Sequence, residues 1–129
     1  LFKTKMGTLV ISIKENNTYK YSYNNYKGNT LFTSNSFKSK AQCFSDINVI
    51  KNNFEVLQFV KFKTPSGKFF FKLELNGFIL GNSRKFTTPL LIEKGINDIR
   101  KNFVNSEVLD FTENIFGEIP EFDEQPLEK

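Results

Sequence analysis

In several predicted strands, lysines and one phenylalanine on the outward face alternate with side chains that face the core. This spacing is suited to binding a polyanion. Successive side chains of a strand point to opposite faces of the sheet, so if Tyr21, Val60 and Phe71 face the core, their neighbours face outward. The outward set is the candidate polyanion-binding surface, which consists of Lys20, Lys61, Lys63, Phe70 and Lys72. Lysines can bind the phosphates of single-stranded nucleic acid while an aromatic ring stacks on a base. The alternative is a solvated sheet face, on which lysines oppose edge-to-edge aggregation.

The composition argues against most catalytic and metal chemistry. The chain has no histidine, so it lacks Ser–His and Cys–His pairs and imidazole metal ligands. One cysteine is too few for a cysteine-rich zinc or iron–sulfur site. That cysteine, Cys43, lies on an apolar stripe, whereas a reactive thiol needs exposure and a low pKa. We therefore predict that the protein is not an enzyme and has no catalytic residue, cofactor or metal.

Four carboxylates are the remaining candidates for acid–base chemistry. Asp46, Glu74, Glu93 and Asp98 show no spacing that places two of them in one cleft. We expect these side chains to be solvated.

A repeat with a period of 49 residues defines the elements that must position the candidate surface. Residues 34–39 (SNSFKS) return as residues 83–88 (SRKFTT), and Gly28 returns as Gly77. An apolar stripe also returns, with Cys43, Ile47, Ile50 and Phe54 matched by Ile92, Ile96, Ile99 and Phe103. A period of this size indicates one supersecondary unit used twice, neither copy being large enough to form a core alone.

The first copy contains three strands and a helix. Apolar and polar residues alternate over residues 9–13 and 19–24, which is the period of strands with one buried face. Residues 30–34 form a shorter third strand. Ser39 then begins a helix as its N-cap, with Gln42 reaching back in a capping box.

The second copy repeats this order with compensating changes in its turns. We align Val60 and Phe62 with Ile11 and Ile13, and place one gained residue in the turn at residues 64–67. The next hairpin is one residue shorter and carries Asn76-Gly77, a strong hairpin signal, which restores the period. Thr88 then replaces Ser39 as the helix cap, with Pro89 in the first helical position.

The repeat predicts the fold class and the domain organisation. The fold is α+β, with two tandem β-β-β-α repeats that form one antiparallel sheet and place two helices on one face. Residues 7–54 form the first repeat and residues 55–105 the second, and the two repeats make a single domain. Residues 1–6 precede the fold, with Met6 taken as the natural start, and residues 106–129 form an acidic, mostly disordered tail.

The repeated pattern resembles the YegP-like family, also called domain of unknown function 1508. The resemblance covers residues 19–53 and 69–102. It is clearest in the second copy, at Phe71-Lys72-Leu73, Asn76-Gly77, Ser83, Phe86 and Gly95-Ile96. The resemblance implies one continuous sheet with exchanged helices, each packing over the other copy's strands. It implies no reaction, cofactor or catalytic residue.

The chain divides sharply by charge. Residues 1–106 carry 17 Lys or Arg and 6 Asp or Glu, whereas residues 107–129 carry 1 Lys and 8 Asp or Glu. Val108, Leu109 and Phe111 could form one more short strand. Beyond them, the tail is either a disordered acidic extension or a segment that docks on the basic face and shields it until a partner displaces it.

We predict a small non-enzymatic binding or interaction module whose partner is an unknown protein. The alternative is a weak single-stranded nucleic-acid binder that uses the basic sheet face. No apolar run reaches the roughly 18 to 20 residues of a membrane helix, so we expect no membrane partner. The single cysteine favours a cytoplasmic protein, and exposed strand edges allow a monomer or a weak homodimer.

Overall fold

The structure is a computed structural model, and it describes residues 6–112. Its elements follow one another as β1 (Thr8–Ile13), β2 (Tyr19–Asn24), β3 (Thr30–Ser34), α1 (Lys40–Asn52), a short 3-10 helix (Phe54–Val56), β4 (Gln58–Lys63), β5 (Phe69–Leu75), β6 (Phe78–Ser83), α2 (Pro89–Asn102) and β7 (Glu107–Asp110). The predicted α+β class is confirmed.

The strands form one seven-stranded sheet in the order β4-β5-β6-β3-β2-β1-β7. Six of the strands pair antiparallel, but β7 pairs parallel to β1. The prediction of a purely antiparallel sheet is therefore wrong, and the sheet is mixed. The reason is that the chain leaving α2 returns to the sheet beside the beginning of β1, Glu107 opposite Thr8, so it must run in the same direction as β1.

The additional strand predicted around Val108 and Leu109 is present as β7. The predicted acidic tail, residues 106–129, thus begins with this strand, and its remainder, residues 113–129, lies outside the described residues.

Both helices cover the same face of the sheet. Tyr21 and Tyr23 lie two residues apart on β2 and therefore point to the same face. The hydroxyl of Tyr21 donates a hydrogen bond to Asp46 of α1, and that of Tyr23 donates to Asp98 of α2. The layer between this face and the helices is the core, with the buried residues Leu9, Ile11, Phe32, Cys43, Ile47, Ile50, Phe71, Leu73, Ile92, Ile96, Ile99 and Phe103.

The helices are not exchanged in the way that the family resemblance implied. α1 packs mainly against β2, and α2 mainly against β5, so each helix lies over a strand of its own segment of the chain. The five-residue connections, residues 35–39 and 84–88, are short and keep each helix close to the strands that precede it.

The predicted helix starts and the tight hairpin are confirmed. The Ser39 hydroxyl accepts a hydrogen bond from the Gln42 amide, and Thr88 caps α2 in the same way, with Pro89 in the first turn. The Gln42 side chain reaches back to the amide of Lys38. Asn76 and Gly77 both have positive φ angles, 52° and 85°, as a type I′ hairpin turn requires.

The register of β4 differs from the prediction by one residue. Lys61 lies opposite Phe71, as Ile11 lies opposite Tyr21, so Lys61 rather than Val60 is the counterpart of Ile11. The turns before β2 and β5 have matching hydrogen bonds, from the Lys14 amide to Thr18 and from the Thr64 amide to Lys68, both 2.7 Å. The additional residue of the second copy consequently lies before β4, not in that turn.

Within residues 6–112, neither helix is long and apolar enough to cross a membrane.

Candidate functional site

The structure divides the five predicted polyanion-binding residues between two faces. Lys20, Phe70 and Lys72 point away from the helices, because they alternate with the buried Tyr21 and Phe71. Lys61 and Lys63 lie on the helix side instead, since the register places them opposite Phe71 and Phe69. The prediction that all five share one face is wrong, and the cause is the one-residue error in β4.

Lys61 and Lys63 have local partners on the helix side. Lys61 forms an ion pair with Glu93 of α2, and the Lys63 ammonium lies 5.6 Å from the centre of the Phe69 ring. Of the two, Lys61 is paired with an opposite charge.

The three residues on the open face do not form one cluster. β2 and β5 are three positions apart in the sheet and antiparallel, and this places Lys20 and Phe70 at opposite ends, roughly 20 Å apart from strand spacing and rise. Phe70 instead stacks on Phe62, with ring centroids 5.2 Å apart and an interplanar angle of 21°. The ammonium of Lys72 lies 5.4 Å from the centre of the Phe62 ring.

A cleft of about 410 Å³ lies at the opposite end of the sheet from the β1–β2 turn. Its walls are the β2–β3 turn, the loop between β6 and α2, and the first three turns of α2. We call it the cationic cleft, and its lining includes Tyr26, Lys27, Arg84, Lys85, Phe86, Leu91, Lys94 and Asp98.

Positive charge dominates the cationic cleft. Four cationic side chains line it, from Lys27, Arg84, Lys85 and Lys94, against the single carboxylate of Asp98. That carboxylate accepts hydrogen bonds from the Tyr23 hydroxyl and, at 3.3 Å, from the Asn102 amide. Because four cations face one carboxylate, the cleft offers a net cationic surface to an anion.

Local hydrogen bonds fix the two loops of the cationic cleft. The Asn25 side chain accepts from the amides of Lys27 and Asn29, both at 3.0 Å, an Asx turn that holds the β2–β3 connection. On the other wall, the Arg84 amide donates to the Leu31 carbonyl at 3.1 Å, which ties the loop after β6 to β3.

Phe86 forms the floor of the cleft. The ring is 7% exposed and lies against α2 at Gly95. A Cβ atom at Gly95 would come within 2.8 Å of the Phe86 Cζ atom, so glycine permits this close approach. The Arg84 guanidinium lies 5.8 Å from the centre of the same ring, a distance at which a cation is attracted by an aromatic face.

Asp46 and Asp98 are half-buried and bonded to core tyrosines rather than solvated as predicted, whereas Glu93 pairs with Lys61 at the exposed surface. Asp46 accepts a hydrogen bond of 2.5 Å from Tyr21, Asp98 accepts one from Tyr23, and Glu93 pairs with Lys61. Burial raises the pKa of Asp46 above its usual value, and the hydrogen bond from Tyr21 acts in the opposite direction.

The titratable groups of the core are held in their neutral forms. Burial, and then the neighbouring carboxylates, raise the pKa of Tyr21 and of Tyr23 well above the usual value. Burial and the Asp46 carboxylate raise the pKa of the Cys43 thiol to about 11. Among residues 6–112, no group of three or more Cys, Asp or Glu side chains could hold a metal ion.

Sequence reasoning missed the cationic cleft, although a signal for it exists. Each cation has an uncharged counterpart 49 residues away: Lys27 corresponds to Asn76, Arg84 to Asn35, Lys85 to Ser36 and Lys94 to Ser45. The fold therefore does not require these charges.

Comparison with known proteins identifies the family. No protein-family model matches the chain. Two relatives, one from Shigella flexneri and one from Escherichia coli, are both called UPF0339 protein YegP. Each is 30% identical to the chain over 108 residues, which cover 82% of this chain and 98% of the relative. The chain belongs to this YegP-like family, as its sequence resemblance predicted.

Solved structures agree with this assignment. The solution NMR structure of YegP from E. coli, described as a protein of unknown function, matches with a TM-score of 0.75 and 26% identity over 88% of this chain and 99% of that chain. A UPF0339 protein from Shewanella oneidensis matches with a TM-score of 0.72 over 82% of this chain and 92% of its own, and its 20% identity shows the fold alone. None of these names assigns an activity.

Proposed function

We propose that the chain is a non-enzymatic binding module that recognises an acidic segment of a partner protein in the cationic cleft. The observation that carries this proposal is the concentration of four cations around one cleft whose only carboxylate is engaged by Tyr23. A groove with one sign of charge attracts and orients a partner of the opposite sign.

The asymmetry of the two chain segments supports a binding role for the cleft. We propose that residues 7–54 and 55–105 are two β-β-β-α repeats sharing one sheet, because they make equivalent contacts. The Tyr21 amide donates to Ser34 Oγ and the Phe71 amide to Ser83 Oγ, both at 2.9 Å. The cleft is cationic, whereas the equivalent positions of the other segment lack these charges. The charges of the cleft therefore serve something other than folding.

The state of the reactive groups supports a non-enzymatic role. The Cys43 thiol is buried and its pKa is raised to about 11, so it is protonated at neutral pH and is a poor nucleophile.

Binding of a fluorescein-labelled hexaglutamate peptide, followed by anisotropy, tests the proposal. Arg84→Glu and Lys94→Glu should each weaken binding by about tenfold, because a charge reversal at the contact turns attraction into repulsion. Lys14→Glu is the matched control, since Lys14 is exposed at the other end of the sheet and the variant has the same net charge. Equal weakening in all three variants would show that only net charge matters, and would contradict the proposal.

A second candidate function is binding of single-stranded nucleic acid on the open sheet face. The stacked Phe62 and Phe70 rings, with Lys72 beside them, favour it, because exposed rings stack on bases. Phe62→Ala and Lys72→Glu should weaken binding of a labelled oligo-dT at low salt, whereas Lys61→Glu, on the helix side, should weaken it less than Lys72→Glu. Equal loss in the two lysine variants would count against this candidate.

A further inference from the structure

We infer that the cationic cleft binds the chain's own carboxyl-terminal segment, residues 113–129, which a partner must displace. This inference rests on the proposed function, because it names an acidic segment that the same cleft would take.

Charge complementarity is the first argument. Residues 113–129 contain six Asp or Glu and one Lys, whereas the whole of residues 1–106 contains only six acidic residues. The cleft presents four cations. The segment and the cleft thus carry charges of opposite sign, and opposite charges attract and orient the two surfaces.

The apolar residues of the segment match the rim of the cleft. Tyr26 and Leu91 line the cleft and are 48% and 42% exposed. The segment interleaves Ile119 and Phe122 with acids, as Glu118-Ile119-Pro120-Glu121-Phe122-Asp123. A peptide with this alternation can bury apolar side chains on the rim while its carboxylates reach the lysines, a pattern common at protein interfaces.

The length of the segment is sufficient to reach the cleft. β7 runs parallel to β1, so Thr112 lies near the end of β1, while the β2–β3 turn adjoins its beginning. From strand rise and spacing, Thr112 is about 25 Å from the cleft. An extended chain covers this distance in about eight residues. The acidic stretch at Glu121, Asp123 and Glu124 begins at that point.

The effect expected from such an intramolecular ligand is competition. A tethered segment acts at an effective concentration of about a millimolar, so even weak docking lowers the apparent affinity for an added acidic peptide. Neutralising the segment should therefore strengthen binding of the labelled hexaglutamate probe.

The test compares two full-length triple variants of equal charge. One is Glu121→Gln/Asp123→Asn/Glu124→Gln in the segment, and the control is Glu15→Gln/Glu55→Gln/Glu107→Gln, three exposed acids of the described part. We expect the segment variant to bind the probe roughly tenfold more tightly than the control does. Amide NMR resonances of Lys27, Arg84 and Lys94 should also shift in the segment variant and not in the control.

The possible outcomes separate the two proposals. Equal probe affinity in the two triple variants, with Arg84→Glu still weakening binding, overturns the intramolecular contact and leaves the proposed function standing. A segment effect that persists unchanged in a Lys94→Glu background also overturns it, because the segment would then dock elsewhere. Absence of probe binding by both triple variants, with no resonance shift, contradicts both proposals.

Discussion

The buried Ser34 hydroxyl extends the hydrogen bonding between β2 and β3 by one bond. Ser34 is 4% exposed, and its Oγ atom accepts a hydrogen bond from the Tyr21 amide and donates one to the Asn35 carbonyl. Ser83 Oγ plays the equivalent part for Phe71 and Arg84 on a more exposed surface. The two serines therefore make the same contacts at different degrees of burial.

We predict that Ser34→Ala lowers the free energy of unfolding by about 1–3 kcal/mol, because the Tyr21 amide loses its acceptor away from water. Ser83→Ala should cost less, since water can reach the Phe71 amide there. Urea denaturation of both variants provides the measurement. A cost for Ser83→Ala equal to or above that for Ser34→Ala would contradict the explanation from burial.

The Asp46 carboxylate gives a pH-dependent prediction. Burial raises its pKa in the folded state, so the folded protein favours the protonated acid. The stability that this group contributes is thus fully present below the unfolded pKa, about 3.9, and is lost as the pH rises through the folded value. Asp46→Asn removes this loss and can still accept the hydrogen bond from Tyr21.

We therefore expect Asp46→Asn to gain stability relative to the parent chain as the pH rises from 3 to 7. Thermal melts at pH 3, 5 and 7 measure this difference. A relative stability that stays constant, or falls towards pH 7, would show that the ionised carboxylate is not penalised.

At the scale of elements, periodicity was sufficient to identify six strands and both helices. The predicted caps at Ser39 and Thr88 are in place because capping depends on residues adjacent in the chain. β4 was misaligned because both of its alternating sets contain apolar residues: Phe59 on the helix side, and Val60 and Phe62 on the open side. Only pairing with β5 decides between the two registers, and this information is not local.

The cationic cleft could not be derived from local sequence for a related reason. Lys27 lies in a turn and Lys94 on α2, and only the sheet order brings β3 beside β6 and so joins them. The comparison of each residue with its counterpart in the other copy gives the clearest sequence signal, since Lys94 replaces Ser45 and Arg84 replaces Asn35.

The N-cap of α2 offers a prediction at this scale. The Thr88 hydroxyl accepts a hydrogen bond from the Leu91 amide at 3.1 Å, and Thr88→Ala should lower the free energy of unfolding by about 1 kcal/mol. Thr87→Ala is the matched control, because Thr87 is exposed, precedes Thr88 directly and is not the cap. Guanidinium denaturation measures both, and an equal effect of the two variants would rule out capping as the cause.

For the whole molecule, the junction between β3 and β6 is where the two chain segments meet in the sheet. Only three residue pairs form this junction, including Ser34 opposite Gly81. The core also crosses it, because Tyr23 of β2 stacks on Phe103 with ring centroids 5.9 Å apart and bonds to Asp98. We expect the two segments to unfold as one cooperative unit, since neither can bury its core faces alone.

Gly81→Ala tests this cooperativity. A Cβ atom at Gly81 would collide with the Thr33 carbonyl oxygen and lie 2.9 Å from the Ser34 Cα atom, and the backbone must shift to relieve both contacts. We predict a loss of about 1–3 kcal/mol, as for other overpacked positions. Native-state hydrogen exchange should show the same loss at the amides of the buried residues Ile11 and Ile96, one in each segment, because the most protected amides report global unfolding. A loss confined to one of these amides would show that the segments unfold independently, and the shared sheet would then join two separately stable units.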